Sequence, residues 1–344
     1  MENESRSDIS SLCSVVVLNY NGKEFLTRCL LSLKNLNYKD YNVIVVDNAS
    51  SDGSVDFVRE HFPWVHIIEN KENLGFAEGN NVAIKHAKGD YILFLNNDTE
   101  VDSDWLENMV KTARSDSSIG IVGCKMLYME QKNVIDAVGF LYDEYGFPYA
   151  RGIGETDHHQ YDYVADVFSA VGAAMLVKRE VLEKIGVFDS KYFMLSDELD
   201  LCWRAQLAGY RVVVNPFAVM YHKSRGTFKK SCVMRSWIRF LNERNILRTL
   251  IKNYSGLTLL KILPRYFALL FTEFLLFVLI RKDLALADIK AVLWNFKNFR
   301  ETWYLHKKIQ QMRVIDDKAI RRKMIQKSIK ILLFRRLGRE FFVS

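Results

Sequence analysis

Two short stretches carry residue types able to bind and move charge. Asn96-Asn97-Asp98-Thr99 follows five apolar residues, and Asp197-Glu198-Leu199-Asp200 places three carboxylates within four positions. A carboxylate flanked by amides and a hydroxyl suits a hard cation and a phosphate, which makes Asp98 a candidate ligand. The bland alternative is a polar turn. His222 is a candidate second metal ligand, although a lone histidine is more often an ordinary surface or core residue. Asp197 and Glu198 are candidates for a general base, with Asp197 the first choice. Three acids at a helix start would also simply favour the helix dipole. Asp200 lies three residues from Asp197, on the same helix face, and can serve to hold the helix or its loop.

The elements that must position these groups follow from the apolar pattern. Short runs at 14–18, 43–46, 65–68 and 91–95 read as strands, each ending in polar residues. Helical spacing over 23–36, 54–61 and 73–87 separates them. Strand–helix alternation of this kind predicts a mostly parallel sheet with helices on both faces. Ligands of such sheets lie beyond the carboxyl ends of the strands, so the polar ends would share one edge. Further on, a helix over 104–113 and strands over 119–124, 171–177 and 211–214 are expected, with a helix starting at Asp197 and stopping at Gly209. Residues 125–164 show no clear period.

On that edge, Asp47 would accept from a base imide or a ribose hydroxyl, or else cap the next helix. Asn73, Gly75, Gly79 and Asn80 surround a helix start, a favourable place for a phosphate. No G-x-G-x-x-G and no Walker lysine motif occurs, so dinucleotide-fold and P-loop readings lack their fingerprints.

Five segments in order resemble the family 2 glycosyltransferases of the GT-A fold: Val-Val-Leu-Asn-Tyr-Asn-Gly (16–22), Val-Val-Asp-Asn-Ala-Ser-Ser-Asp-Gly-Ser (45–54), Asn-Leu-Gly-Phe-Ala-Glu-Gly-Asn-Asn (73–81), Phe-Leu-Asn-Asn-Asp-Thr (94–99) and Asp-Glu-Leu-Asp-Leu-Cys-Trp-Arg (197–204). The flavour is closest to the rhamnosyltransferase-like branch, which builds cell-surface polysaccharides. The resemblance implies an α/β fold, Rossmann-like with a mostly parallel central sheet and flanking helices, and a helical C-terminal appendage. It implies inverting transfer from a nucleotide-diphospho-sugar to a hydroxyl of a glycan or lipid-linked acceptor. The donor would meet Asn19, Asn21, Asp47, Asn73, Gly75, Asn80, Asn97 and Asp98. A divalent cation, Mg2+ or Mn2+, would sit at Asp98, with His222 as partner. Two departures stand out: the usual Asp-x-Asp is Asn96-Asn97-Asp98, and the usual Glu-Asp pair is inverted to Asp197-Glu198. Rival readings are a nucleotidyltransferase, whose long basic loop after the first strand is missing here, and a non-catalytic nucleotide-sugar-binding or scaffold protein.

The 344 residues divide by charge. From Ile251 onward, 20 Lys and Arg stand against 7 Asp and Glu, so of the net +7 this part carries about +13 and the rest about −6. A catalytic domain over 1–235 and a basic helical region over 236–344 are expected. Residues 266–280 are apolar except Thr272 and Glu273, about 15 residues where a membrane span needs about 20. Residues 318–337 read as a basic amphipathic helix with eight Lys and Arg. Together these predict an enzyme held peripherally on an anionic membrane surface, on the cytoplasmic face, with packing on the domain as the alternative. No nucleic-acid-binding module is recognised. The five cysteines show no CxxC spacing and read as reduced thiols. The polar N-terminus lacks the order of a signal peptide. Oligomeric state is not legible.

Overall fold

A computed structural model describes residues 12–223 and 232–332. The first part alternates as expected: β1 (Cys13–Asn19), α1 (Lys23–Lys34), β2 (Tyr41–Asp47), α2 (Ser54–His61), β3 (His66–Glu69), α3 (Gly75–Ile84) and β4 (Tyr91–Asn96). There follow β5 (Thr99–Val101), α4 (Trp105–Ser115), β6 (Ile119–Tyr128), β7 (Gln131–Ala137), β8 (Phe140–Tyr142), β9 (Pro148–Ala150), β10 (Ala165–Asp166), β11 (Ala174–Lys178), α5 (Arg179–Ile185), a single 3₁₀ turn (Ser190–Tyr192), α6 (Asp197–Leu207) and β12 (Arg211–His222). Five helices complete the described chain: α7 (Cys232–Asn253), α8 (Gly256–Ile280), α9 (Lys282–Lys297), α10 (Phe299–Met312) and α11 (Asp317–Arg322).

The main sheet runs β10-β12-β6-β11-β4-β1-β2-β3, with β5 added to β12 and β7 to β6. Pairs β4–β1, β1–β2 and β2–β3 are parallel, while β11 lies antiparallel between β4 and β6. Both faces are covered. Val15, Val17, Leu93 and Leu95 pack with α1 and α4, whereas Val16, Ile92 and Phe94 pack with α3 and α6. Burial on both faces explains why these strands are unbroken apolar runs. Cys13, Cys29, Cys124 and Cys202 are free thiols inside the protein.

Two strands differ from the sequence expectation. The strand expected over 211–214 runs on to His222, because Pro216 sits in a bulge where the register with β6 shifts between Asn215 and Val219. Within 125–164, β6 continues to Tyr128 and turns back as β7. The helices after α6 share a core with it: Leu199 and Trp203 pack with Ile246, Leu250, Tyr254 and Ile262.

The C-terminal expectations change more. α8 is one 25-residue helix that runs through Pro264, whose ring lies on the exposed face. By length and composition it could cross a membrane, and 22% of its most apolar window is buried. The amphipathic helix expected over 318–337 is not formed as such. α11 ends at Arg322, and Ile320, Met324, Ile329 and Lys330 are buried against the rest of the protein. Residues 333–337 lie outside the described residues, as does most of the basic loop read after His222, 224–231.

Candidate active site

The corner that holds Asp98 and His222 is built by strand pairing. β4 ends at Asn96, the chain turns over Asn97 and Asp98, and β5 pairs antiparallel with β12 so that Thr99 faces His222. This register brings Nε2 of His222 to 3.5 Å from Oδ1 of Asp98. Two adjacent ligand atoms of an octahedral ion, each about 2.1 Å from it, stand about 3 Å apart, so the carboxylate and imidazole fit a hard divalent cation. Nδ1 of His222 lies 3.0 Å from Oδ2 of Asp136, on β7. Burial alone would lower the imidazole pKa, but the bonds to Asp136 and Asp98 outweigh it and push it up to about 9. A cation would therefore compete with a proton for Nε2. Asp157, His159 and Asp162 form a second group of ligand type, but Lys125 already sits on it, 2.8 Å from Asp157 and 2.6 Å from Asp162.

Asp98, Asn96 and Asn97 line one wall of a cleft of about 340 Å³. Tyr20, Asn48, Asn73 and Gly75 line another side, and Met194, Met234 and Trp237 close it from the C-terminal part. The expected donor residues thus divide. Asn73, Gly75, Asn97 and Asp98 face the cleft, whereas Asn19, Asn21, Asp47 and Asn80 stand behind it. Asn19 is a buried hub: Nδ2 donates to Asp47 at 2.9 Å, and Oδ1 accepts from Nδ2 of Asn97 at 2.7 Å. Asp47 also accepts from the Ser50 amide, and Asn21 accepts from that of Ser51. These groups set the shape of the loops whose far sides reach the cleft. Gly22 is required for this, since a Cβ there would lie 2.2 Å from Nδ2 of Asn97.

The α3 start is not an open phosphate site. The amides of Phe76 and Ala77 both donate to the carbonyl of Phe193, and that of Gly75 donates to Asn73. Gly75 has φ +74°, and a Cβ there would meet the Phe193 carbonyl at 2.4 Å. The helix amides hold the loop before α6 instead, a role that local sequence could not reveal because the partner is more than a hundred residues away.

That loop delivers the acid pair. Phe193, Leu195 and Ser196 all have positive φ, a conformation non-glycine residues rarely adopt. It is fixed from α7. Nδ2 of Asn245 donates to the carbonyls of Tyr192, Met194 and Leu195 at 3.1, 2.9 and 2.7 Å. Asp197, 3% exposed, has an Oδ2 without a hydrogen-bond partner among the described residues. Burial, and then the charge of Glu198 beside it, push its pKa well above the carboxylate range. Glu198 is half-buried, its pKa is raised by burial, and Tyr142 donates to it at 3.4 Å. Its Oε2 lies against Gly172, next to Ala173, whose carbonyl accepts from the Asn96 amide at the end of β4. Asp200 is structural, held by Arg204, Lys252 and Asn253 at 2.9–3.0 Å.

Sequence reasoning missed Asp136, Tyr20, Asn48, Trp237 and Asn245. Asn48 lay within a quoted motif; Asp136 lies in the stretch without a period, and the last two lie beyond the resembling segments.

The chain is similar to known proteins. A protein from Myxococcus xanthus described as O-antigen biosynthesis protein RfbC is 26% identical over 67% of this chain and 19% of its own length. The poly-beta-1,6-N-acetyl-D-glucosamine synthase of Staphylococcus aureus is 24% identical over 59% of this chain and 47% of its own. The chain thus spans less than half the length of these curated relatives. Among solved structures, the mannosyltransferase PcManGT from Pyrobaculum calidifontis, in complex with GDP-Man and Mn2+, superposes with a TM-score of 0.52 at 19% identity, covering 89% of this chain and 86% of that one. The fold is GT-A. The model of glycosyl transferase family 2 matches residues 14–186, and the chain belongs to that family of glycosyltransferases.

Proposed function

We propose that this enzyme transfers a sugar, with inversion, from a nucleotide-diphospho-sugar to a hydroxyl of a glycan or lipid-linked acceptor during cell-surface polysaccharide assembly. The observation that carries this reading is the β5–β12 register, which brings His222 within 3.5 Å of Asp98, a residue of the cleft wall. The two residues would hold a divalent cation, Mg2+ or Mn2+, which when bound neutralises charge on the leaving diphosphate. The chain's own groups do the rest. Asn73, Asn97 and Tyr20 orient the donor along the cleft. A carboxylate of the acid pair takes the acceptor's proton as its oxygen attacks the anomeric carbon, and the bond to the phosphate oxygen breaks with release of the nucleoside diphosphate. Glu198 supports this role better than Asp197, whose burial favours the protonated form.

The motifs favour a rhamnose-type donor, and the net positive C-terminal part supports a peripheral site on the cytoplasmic face of the membrane. Purified full-length enzyme incubated with dTDP-rhamnose, UDP-GlcNAc and GDP-mannose separately, with Mn2+ or EDTA, tests the core of the reading. Cation-dependent release of nucleoside diphosphate from one donor is expected. Turnover undiminished by EDTA would sink the cation assignment, and no turnover or donor binding with any sugar nucleotide would sink the reading itself.

A further inference from the structure

We infer that the outer face of the α8–α9 hairpin lies in the plane of a lipid leaflet, as the surface that seats the enzyme on an anionic membrane. The inner faces of both helices are fixed to α7 by buried charges. Arg239 bonds Glu273 of α8 at 2.6 Å and Asp288 of α9 at 2.7 Å, and Lys330 joins Glu273 to Glu243. Neither helix can turn another side outward without breaking this network. A helix spanning a bilayer would have lipid around it; here one face is committed to protein and one remains.

The remaining face is apolar along both helices. Leu260, Phe271 and Leu279 on α8 and Leu286, Leu293 and Phe296 on α9 are all at least half exposed, Leu279 by 84%. Between the helices runs an apolar groove of about 390 Å³, lined by Phe267, Phe274, Ile289 and Val292 among others, with the shape to take a lipid tail. Contiguous apolar patches of this extent mark an interaction surface rather than a solvated one.

Charge identifies the occupant. Among the described residues from Gly256 to Arg300, every exposed charge is basic: Lys261, Arg265, Lys282, Lys290, Lys297 and Arg300. Glu273 and Asp288 are buried, and Asp283 pairs with Arg281. An apolar stripe bordered by cations alone fits anionic lipid: tails below, head groups at the rim. The second copy of an identical chain would bring the same cations into contact.

The location also serves the site. Trp237 of α7 lines the donor cleft, while Arg239, two residues on, holds α8 and α9. One helix, about 10 Å across, therefore separates the cleft from the leaflet. This deepens the proposed function by supplying the path for a lipid-linked acceptor, and the membrane face itself stands without that function.

Co-sedimentation of the full chain with phosphatidylcholine vesicles, with and without phosphatidylglycerol, tests the inference. Binding should require phosphatidylglycerol, weaken with salt and be reversed by alkaline carbonate. The exposed double substitution Phe271→Glu/Leu293→Glu should lower binding at least tenfold while soluble-donor hydrolysis persists, and Lys290→Glu/Lys297→Glu should remove the lipid-charge dependence. Wild-type protein left in the supernatant, as a monomer or as a dimer that the double substitution dissociates, overturns the inference. So does unchanged binding of the double variant, or resistance of the wild type to carbonate, which would mean a span. Vesicle binding by a chain that hydrolyses no donor would leave the membrane face standing and defeat the enzymatic reading instead.

Discussion

Asp197 and Glu198 are neighbours with nearly the same chemistry and different surroundings. The carboxyl of Asp197 is enclosed, and its second oxygen finds no donor among the described residues. Burial favours its protonated form, so it keeps its proton where an ordinary aspartate would not. Glu198 is less enclosed, and under the proposed mechanism it is the carboxylate that meets the incoming hydroxyl. Glu198→Gln is expected to lower turnover by at least about a hundredfold with donor affinity retained. Asp197→Asn, which preserves shape and a donor, should cost about tenfold or less. Because burial raises the Glu198 pKa, activity should fall away with acidification at a pH above that of a free glutamate, about 4.3. The reverse ranking of the two variants in single-turnover assays would restore Asp197 as the base. Under the proposed cation assignment, Asp136 is a positioning residue. It bonds Nδ1 of His222, and so aims Nε2 at Asp98. Outer-sphere carboxylates of this kind typically matter by about 10–100-fold in metal affinity. Asp136→Ala should weaken Mn2+ binding by that order, measured by titration against the spin-resonance signal of free Mn2+, and Asp136→Glu should restore part of it. Unchanged Mn2+ affinity in Asp136→Ala would make its contact with His222 incidental.

At the scale of elements, the sequence was legible wherever one local rule determined the outcome. β1, β2 and β4 are buried on both faces, so their apolar runs identify them, and their polar ends mark the edge where the cleft forms. Residues placed by distant partners were not legible. β7 is half-polar and its register on β6 is irregular, so neither a period of two nor an unbroken apolar run appears. The bulge at Pro216 makes one strand look as if it stops at Val214. α8 looked too short because Pro264 and two cations interrupt its composition, yet its ring and those cations lie on an exposed face, where the backbone can continue. α7 shows the limit most clearly, since its buried polar residues act on a loop fifty residues earlier. Two carbonyls of that loop, those of Met194 and Leu195, depend on one side-chain amide, Asn245, which also shares the Tyr192 carbonyl with Arg244. Asn245→Ala leaves them short of a donor and relaxes the positive-φ residues before Asp197. Turnover should drop about tenfold or more while Mn2+ affinity, which depends on β5 and β12, stays within about twofold. Parallel losses in both would mean that Asn245 stabilises the whole fold and not the loop.

The whole molecule is joined by charge as well as by its cores. Asp189 precedes the 3₁₀ turn that leads to the acid pair. It binds Arg248 at 2.8 Å and Lys252 at 2.7 Å, both enclosed residues of α7, while Arg248 reaches on to Thr302 and Glu301 of α10. Lys252 also binds Asp200 of α6, so four elements meet around one carboxylate. An ion cluster of this type is weak evidence for stability as such, but removing one member strands the others without water. Asp189→Ala should cost about 3–5 kcal/mol, read from urea unfolding. The pH dependence has a definite sign. Burial would raise the Asp189 pKa, but Lys252 and Arg248 outweigh it and hold it well below the usual range. The unfolded chain therefore binds the proton first, and the stability due to this carboxylate is present above the unfolded pKa of about 3.9 and lost as pH falls toward the folded value. Asp200 and Glu243, also lowered by buried cations despite burial, act in the same direction. Wild-type protein should lose stability steeply below about pH 4, and Asp189→Asn, though less stable at neutral pH, should lose less over the same interval. Equal acid slopes for the two proteins would show that Asp189 titrates alike in the folded and unfolded states, and that the packing shared by Trp203, Leu250 and Tyr254, rather than this cluster, joins α6 to α7.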